Sequence, residues 1–129
     1  MSHRANYALC HFGEQLGPDE SALEVPWATF VGDETTTMTF EIPAAPTEPY
    51  LEVQAYEVGG FGHEIRINGT DISGFDIPPN EGWQYWMDAV TDAELTAGEN
   101  TVQVVREAGS RDSFVVGNVV INWKEPVDT

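Results

Sequence analysis

The sequence has very little positive charge. Only 5 of its 129 residues are Lys or Arg, against 22 Asp and Glu, and the formal net charge is −17. A protein that binds nucleic acid needs a basic stripe to neutralise phosphates. The basic residues are instead scattered along the chain, so we expect no nucleic-acid partner: Arg4, Arg66, Arg106, Arg111 and Lys124.

Cysteines and long apolar runs are also scarce. Cys10 is the single cysteine, which excludes an internal disulfide and any CxxC redox or metal motif. Residues 1–6 are polar and the apolar stretch 7–12 is too short for a signal peptide, and no run approaches the length of a membrane span. We therefore expect cytoplasmic synthesis without a signal peptide, no membrane insertion, and a virus particle as one route out of the cell.

The excess of acidic residues predicts that the protein functions in concentrated salt. Uncancelled like charge favours expansion of the chain, whereas at about 1 M salt the Debye length falls to roughly 3 Å and the repulsion is screened. The acids are dispersed among Trp, Phe, Ile and Val, which disfavours a disordered acidic tail. The composition thus predicts a folded domain from an extreme halophile or from a virus of one.

Period-two patterning dominates the chain and predicts an all-β protein. Residues 37–42 alternate apolar with polar, Asn68-Gly69 is a favoured hairpin turn, and residues 113–123 are apolar on both faces, as in a central strand. Thr91 and Glu94 resemble a capping box and predict one short helical turn. About eight strands with Pro- and Gly-rich connections predict a single antiparallel β-sandwich domain over residues 1–129, with a jelly roll as its expected form.

Three segments resemble the galactose-binding-like jelly-roll superfamily, which is common in carbohydrate-binding modules and adhesive domains. They are residues 65–69 (IRING), 95–102 (LTAGENTV) and 114–123 (FVVGNVVINW). The whole chain also resembles small, uncharacterised acidic haloarchaeal proteins, through residues 3–8 (HRANYA), 76–79 (DIPP) and 82–88 (GWQYWMD). The first resemblance implies the sandwich fold, and the second supports the halophile assignment and the single-domain extent.

Aromatic residues are the best candidates for contact with a ligand or partner, because sugars stack their C–H faces on aromatic rings. Trp83 and Tyr85 share one face of a predicted strand, while Trp86 points to the other face and is expected in the core. The alternative that all three rings simply pack in the core stays open. The further contact candidates lie in or near the neighbouring loop: Tyr56, Phe61 and His63.

No motif for catalysis, a metal or a cofactor is present in the sequence. Cys10 and His11 would lie on opposite faces of a strand, and the acids form no calcium-loop pattern. We therefore expect that the protein is not an enzyme, that it has no catalytic residue, and that it binds neither a metal nor a cofactor. The first hypothesis is a non-catalytic assembly protein that decorates the capsid or tail of a haloarchaeal virus by contact with protein subunits. The alternative is a module that binds surface glycans, and a small jelly-roll hydrolase or isomerase is a remote third.

Overall fold

The computed structural model describes residues 2–72 and 74–127. They form nine strands and one 3-10 turn, Glu20–Ala22, and no helix in this part of the chain is long and apolar enough to cross a membrane. The strands are β1 (Ser2–Leu16), β2 (Thr29–Gly32), β3 (Met38–Ile42), β4 (Thr47–Val58), β5 (His63–Ile67), β6 (Thr70–Asp71), β7 (Asn80–Ala89), β8 (Gly98–Arg106) and β9 (Phe114–Val127).

The strands make two sheets. One has five strands in the order β2-β1-β9-β4-β7, and the other has four in the order β3-β8-β5-β6. All pairings between these strands are antiparallel except β1 with β2. A common core joins residues of both sheets, for example Leu51 and Val53 of β4 with Ile65 of β5 and Val104 of β8. The molecule is therefore a β-sandwich, as its alternating pattern predicted.

Strand β9 occupies the centre of the five-stranded sheet. It pairs with β1 on one side and with β4 on the other, and Val116, Val119 and Ile121 on its inner face are fully buried. A central strand has neighbours on both edges and needs apolar residues to fill the core beneath it. The prediction of a central strand near residues 113–123 is confirmed.

The β5-β6 hairpin turns at Asn68-Gly69, as predicted. Asn68 has φ 51° and Gly69 has φ 81°, the two positive angles that a type I′ turn requires. The turn brings Ile67 opposite Thr70 and Arg66 opposite Asp71.

The helical turn predicted from Thr91 and Glu94 is wrong, since the described residues 91–97 contain no helix. Tertiary hydrogen bonds take up the backbone groups that a helical turn would use. The Asn68 side chain donates to the carbonyl of Glu94 at 2.7 Å, and the Asn100 side chain accepts from the amide of Thr96 at 2.9 Å. The bond from the distant Asn68 and the bond to nearby Asn100 thus outweigh the capping signal of Thr91 and Glu94.

Candidate functional site: the outer face of the five-stranded sheet

Alternation along the strands gives the five-stranded sheet an inner face toward the core and an outer face toward solvent. On β1, Cys10 and Phe12 are buried in the core, so Tyr7 and Leu9 point outward. The same alternation on β4, β7 and β9 assigns the remaining members of the outer face: Tyr50, Glu52, Gln54, Tyr56, Trp83, Tyr85, Met87, Asn118, Val120 and Asn122.

The strand register arranges these outer residues in rows across the sheet. Tyr56 lies opposite Trp83, and Gln54 lies opposite Tyr85. Nearer the other end, Asn122 lies between Tyr7 and Tyr50. Rings therefore occupy both ends of the outer face, with polar side chains between them.

Three rings form an aromatic cluster at one end of this face: Trp27, Tyr56 and Trp83. Their centroids are 5.1 Å apart for Tyr56–Trp83, 5.6 Å for Trp27–Tyr56 and 5.9 Å for Trp27–Trp83. These spacings are those of favourable aromatic pairs. Trp27 is nevertheless 56% exposed and Trp83 is 53% exposed. The cluster is held together by ring contacts while it presents much of its surface to solvent.

Gly117 of β9 makes room for the Trp83 ring. A Cβ atom placed on Gly117 would lie 3.0 Å from Cζ3 of Trp83 and 3.1 Å from Oε1 of Gln54. These distances are tighter than ordinary van der Waals contacts, so Trp83 lies directly against the backbone of the central strand.

Tyr85 is the next exposed ring on β7, and it is coupled to an acid. A hydrogen bond to the Glu52 carboxylate, with smaller effects of desolvation and of the carboxylate charge, raises the pKa of Tyr85 to about 12. The phenol is therefore a neutral donor at any ordinary pH, and it donates a hydrogen bond to the Glu52 carboxylate.

Amide side chains and the His11 imidazole lie between the two aromatic ends of the outer face. His11 Nδ1 is 2.8 Å from Oδ1 of Asn118, whose backbone amide donates to Gln54 Oε1 at 3.2 Å. The Nδ2 group of Asn122 is buried and has no hydrogen-bond partner among the described residues. Buried donors are nearly always paired in proteins, so an unpaired one needs an explanation.

The structure brings together three of the residues predicted from the sequence: Tyr56, Trp83 and Tyr85. Phe61 is exposed, but it lies in the loop between β4 and β5, outside the rows of the outer face. Trp27 completes the aromatic cluster and was not predicted, since it precedes β2 in a turn with no strand pattern. Its sequence signal was a large ring that follows Pro26 in a segment without strand alternation.

Trp86 corrects another expectation, because it is not a core residue. It lies opposite Val53 on the core-facing side of β7, yet it remains 44% exposed. Strand β7 is the last strand of its sheet, so the ring extends past the edge of the core, and its Nε1 donates to Gln84 Oε1 at 2.7 Å.

His63 departs from its predicted contact role, because it is only 2% exposed and both ring nitrogens are engaged inside the protein. Nδ1 is 2.7 Å from Asp76 Oδ1, and Nε2 is 2.6 Å from Asp112 Oδ2. The ring also packs edge-on against Phe114 at 4.6 Å. His63 therefore holds the fold and is closed to a ligand.

The two carboxylates favour the protonated form of His63. Burial opposes the charge, but the hydrogen bonds to Asp112 and Asp76 outweigh it and raise the pKa of His63 above its ordinary value of 6.5. Burial likewise opposes ionisation of Asp76, but amide donors from Gly62, His63 and Ile77 and the imidazole itself lower its pKa below 3.8. The imidazolium donates to both acids and links three segments of chain.

The described residues contain no group of three or more His, Cys, Asp or Glu side chains that could hold a metal ion. The outer face can instead offer ring stacking and hydrogen bonds from neutral groups.

The fold is similar to that of carbohydrate-binding modules. The CBM36-1 domain of a multidomain xylanase from the hindgut metagenome of Trinervitermes trinervoides matches with a TM-score of 0.61 and 10% identity, over 96% of this chain and 100% of that one. A family 35 carbohydrate-binding module from an environmental isolate matches with a TM-score of 0.58 and 12% identity, over 100% and 99% of the two chains. At such identities the likeness defines the class of fold, a jelly-roll-like β-sandwich, and supports the predicted galactose-binding-like form.

A third similar structure is the Podospora anserina GH26-CBM35 β-(1,4)-mannanase, with a TM-score of 0.53 and 15% identity. It aligns with 95% of this chain, which spans only 28% of the mannanase. Residues 4–125 match the model of a family of unknown function, DUF7383, and the chain belongs to that family. A search of curated proteins by sequence found no match.

Proposed function

We propose that this protein binds glycans without catalysis, and that the outer face of the five-stranded sheet is the binding surface. The observation that carries the proposal is the aromatic cluster of Trp27, Tyr56 and Trp83, whose two indoles are more than half exposed. Large rings favour burial, and their exposure together on one face is typical of a contact surface.

The polar groups of the face fit the same function. Sugar hydroxyls need donors and acceptors beside the stacking ring, and Gln54, Asn118 and Asn122 provide amides there. The likeness of the fold to carbohydrate-binding modules adds support. Glycan binding was the alternative from the sequence, and these observations favour it over the assembly role.

Binding to immobilised neutral polysaccharides in molar KCl tests the proposal. We expect Trp83→Ala to abolish retention while the melting temperature stays within a few degrees, because an exposed ring contributes little to the core. Phe61→Ala is the matched control, since it removes an exposed ring outside the face. Equal retention of all three proteins would contradict the proposal.

A second candidate function is self-assembly through the free edge of β7, and the proposed partner is a second copy of this chain. Strand β7 ends the sheet, and none of its ten residues is buried. Residues 82–87 carry no charge, in a chain of net charge −17, so two copies could pair there with little repulsion. Exposed edges of this kind are templates for pairing with another strand.

Light scattering after size-exclusion chromatography distinguishes the two candidates. If β7 pairs between copies, the wild type is a dimer and Trp86→Lys is a monomer, because a Lys on an edge strand opposes pairing. Phe61→Lys is the control for the added charge and should leave the dimer intact. A monomeric wild type would exclude this edge as a self-association site. Assembly on a viral capsid or tail stays a prediction from the sequence.

A further inference from the structure

We infer that the outer face selects single, soluble chains of neutral sugars and rejects both anionic glycans and flat insoluble surfaces. This inference rests on the proposed glycan binding and names the substrate class of the same site. It is drawn from the charges on the face, its hydrogen-bonding groups and the angles between its rings.

Among the described residues, the outer face carries no Lys or Arg that is free of an acid partner and could pair with a uronate or sulfate. Lys124 lies at its far end, where the ammonium is held by Glu48 at 2.7 Å. Three arginines elsewhere in the described chain also form ion pairs with acids: Arg4, Arg66 and Arg106. Recognition of an anionic sugar relies on charge-assisted bonds at short range, which concentrated salt does not replace.

The hydrogen-bonding groups available to a ligand are mostly uncharged. Glu52 is the acid among the outer-face residues, and its carboxylate accepts a hydrogen bond from the phenol of Tyr85. Asn122 lies between Tyr7 and Tyr50 with a buried, unpaired Nδ2 donor. A sugar hydroxyl that reached it after a small shift of the flanking rings would supply the missing acceptor.

The rings of the aromatic cluster are not coplanar. The interplanar angles are 35° for Trp27–Trp83, 46° for Tyr56–Trp83 and 71° for Trp27–Tyr56. A flat crystalline polysaccharide needs rings that lie in one plane, whereas a free chain can twist to meet tilted rings. Tyr50 and Tyr56 are six residues apart on β4, about 20 Å along the strand, which leaves room for several sugar units.

Calorimetry with a defined panel tests the selectivity in about 2 M KCl, where long-range repulsion is screened. The probes are soluble xylan, glucomannan and dextran, anionic polygalacturonate and alginate, and insoluble microcrystalline cellulose. At least one neutral soluble chain should bind, and Trp83→Ala should weaken it by roughly thirtyfold, the loss typical of a central aromatic contact. Phe61→Ala should bind as the wild type does.

A gain-of-function variant makes the charge argument falsifiable in both directions. The double change Glu52→Gln with Met87→Lys removes the acid and adds a cation at positions that face each other on β4 and β7. It should acquire polygalacturonate binding, and its failure to do so would contradict the charge argument.

The outcomes separate the two proposals. Polygalacturonate, alginate or cellulose bound by the wild type and lost in Trp83→Ala would overturn the selectivity while the glycan-binding function stands. Failure of every probe to bind the wild type would overturn both.

Discussion

At the scale of single residues, the shape of the outer face depends on a missing side chain. Gly117 lets the Trp83 ring lie against the central strand, where a Cβ would be 3.0 Å from Cζ3 of the ring. The sequence does not reveal this contact between Gly117 and Trp83, because their strands, β9 and β7, are separated by β4 in the sheet.

We predict that Gly117→Val displaces Trp83 and breaks the aromatic cluster. The expected result is loss of glycan retention, together with a change in tryptophan fluorescence, because the added methyls occupy the space of the ring. Retention on immobilised polysaccharide measures the effect. Gly60→Val is the control, since Gly60 does not have a positive φ and a Cβ there would meet only Asp112 Cβ, at an ordinary contact distance of 4.0 Å. Unchanged retention in Gly117→Val would show that binding does not need the ring in this position.

Gly69 tests the hairpin at the same scale. Its φ of 81° is rarely adopted by a β-branched residue, although a side chain there would meet open space. Gly69→Val should therefore lower the free energy of unfolding by roughly 1 kcal/mol or more through backbone strain alone. Gly69→Asn should cost less, because Asn tolerates this region. Denaturant titration measures both, and equal stabilities would contradict the turn assignment.

At the scale of structural elements, His63 links the start of β5 to two segments distant in sequence. Asp76 precedes β7 and Asp112 precedes β9, and each carboxylate also accepts backbone amides, from Gly62 and Gly59 respectively. The ion pairs thus fix the loops at one end of the sandwich. Removal of one partner from a buried ion pair is costly because it leaves uncompensated charge.

This network predicts a pH-dependent stability. The pKa of His63 is raised in the folded protein. Its contribution to stability is therefore fully present below pH 6.5 and is lost as the pH rises through the raised pKa. The pKa of Asp76 is lowered, so its contribution is present above 3.8 and is lost as the pH falls below that. The network should stabilise the protein most between these two ordinary values.

The measurement is the difference in unfolding free energy between the wild type and His63→Gln, taken across pH at fixed high salt. We expect His63→Gln to be less stable than the wild type by about 3 kcal/mol near pH 6. This is the lower end of the cost of breaking a buried ion pair, because Asp76 is 35% exposed. The difference should shrink as the pH rises through the raised pKa of His63. His11→Gln is the control, since that exposed ring lies outside the network. A pH-independent difference for His63→Gln would mean that the histidine is uncharged when folded.

At the scale of the whole molecule, charge is the dominant feature. Four of the five basic side chains form ion pairs with acids among the described residues, which still leaves most of the 22 acids without a cation. Their mutual repulsion opposes the folded state in dilute buffer.

We predict that the melting temperature rises markedly from dilute buffer to molar KCl at neutral pH. Screening of carboxylate repulsion is the cause, so acidification toward the carboxylate range should partly restore stability at low salt. Calorimetry across the salt range measures this. A constant melting temperature would remove the support that composition gives to a halophilic origin.

Features that depend on neighbouring residues were predictable from the sequence. Alternation indicated the all-β class and strands such as Met38–Ile42, and Asn68-Gly69 specified the hairpin through positive φ at both positions. The apolar run in β9 indicated a strand with neighbours on both sides, and it lies at the centre of its sheet. A period of two places side chains on alternate faces whatever the rest of the chain does, so these features follow from local order.

Strand order and register decided the rest. Trp27 meets Trp83 only because its turn folds over the outer face, and Trp86 is exposed only because β7 ends its sheet. His63 was expected at the surface, but Asp112, 49 positions away, closes over its ring. The alternating pattern of a strand does not encode which strands become its neighbours, so the contact of Trp27 with Trp83 and the burial of the His63 imidazolium were determined by tertiary structure.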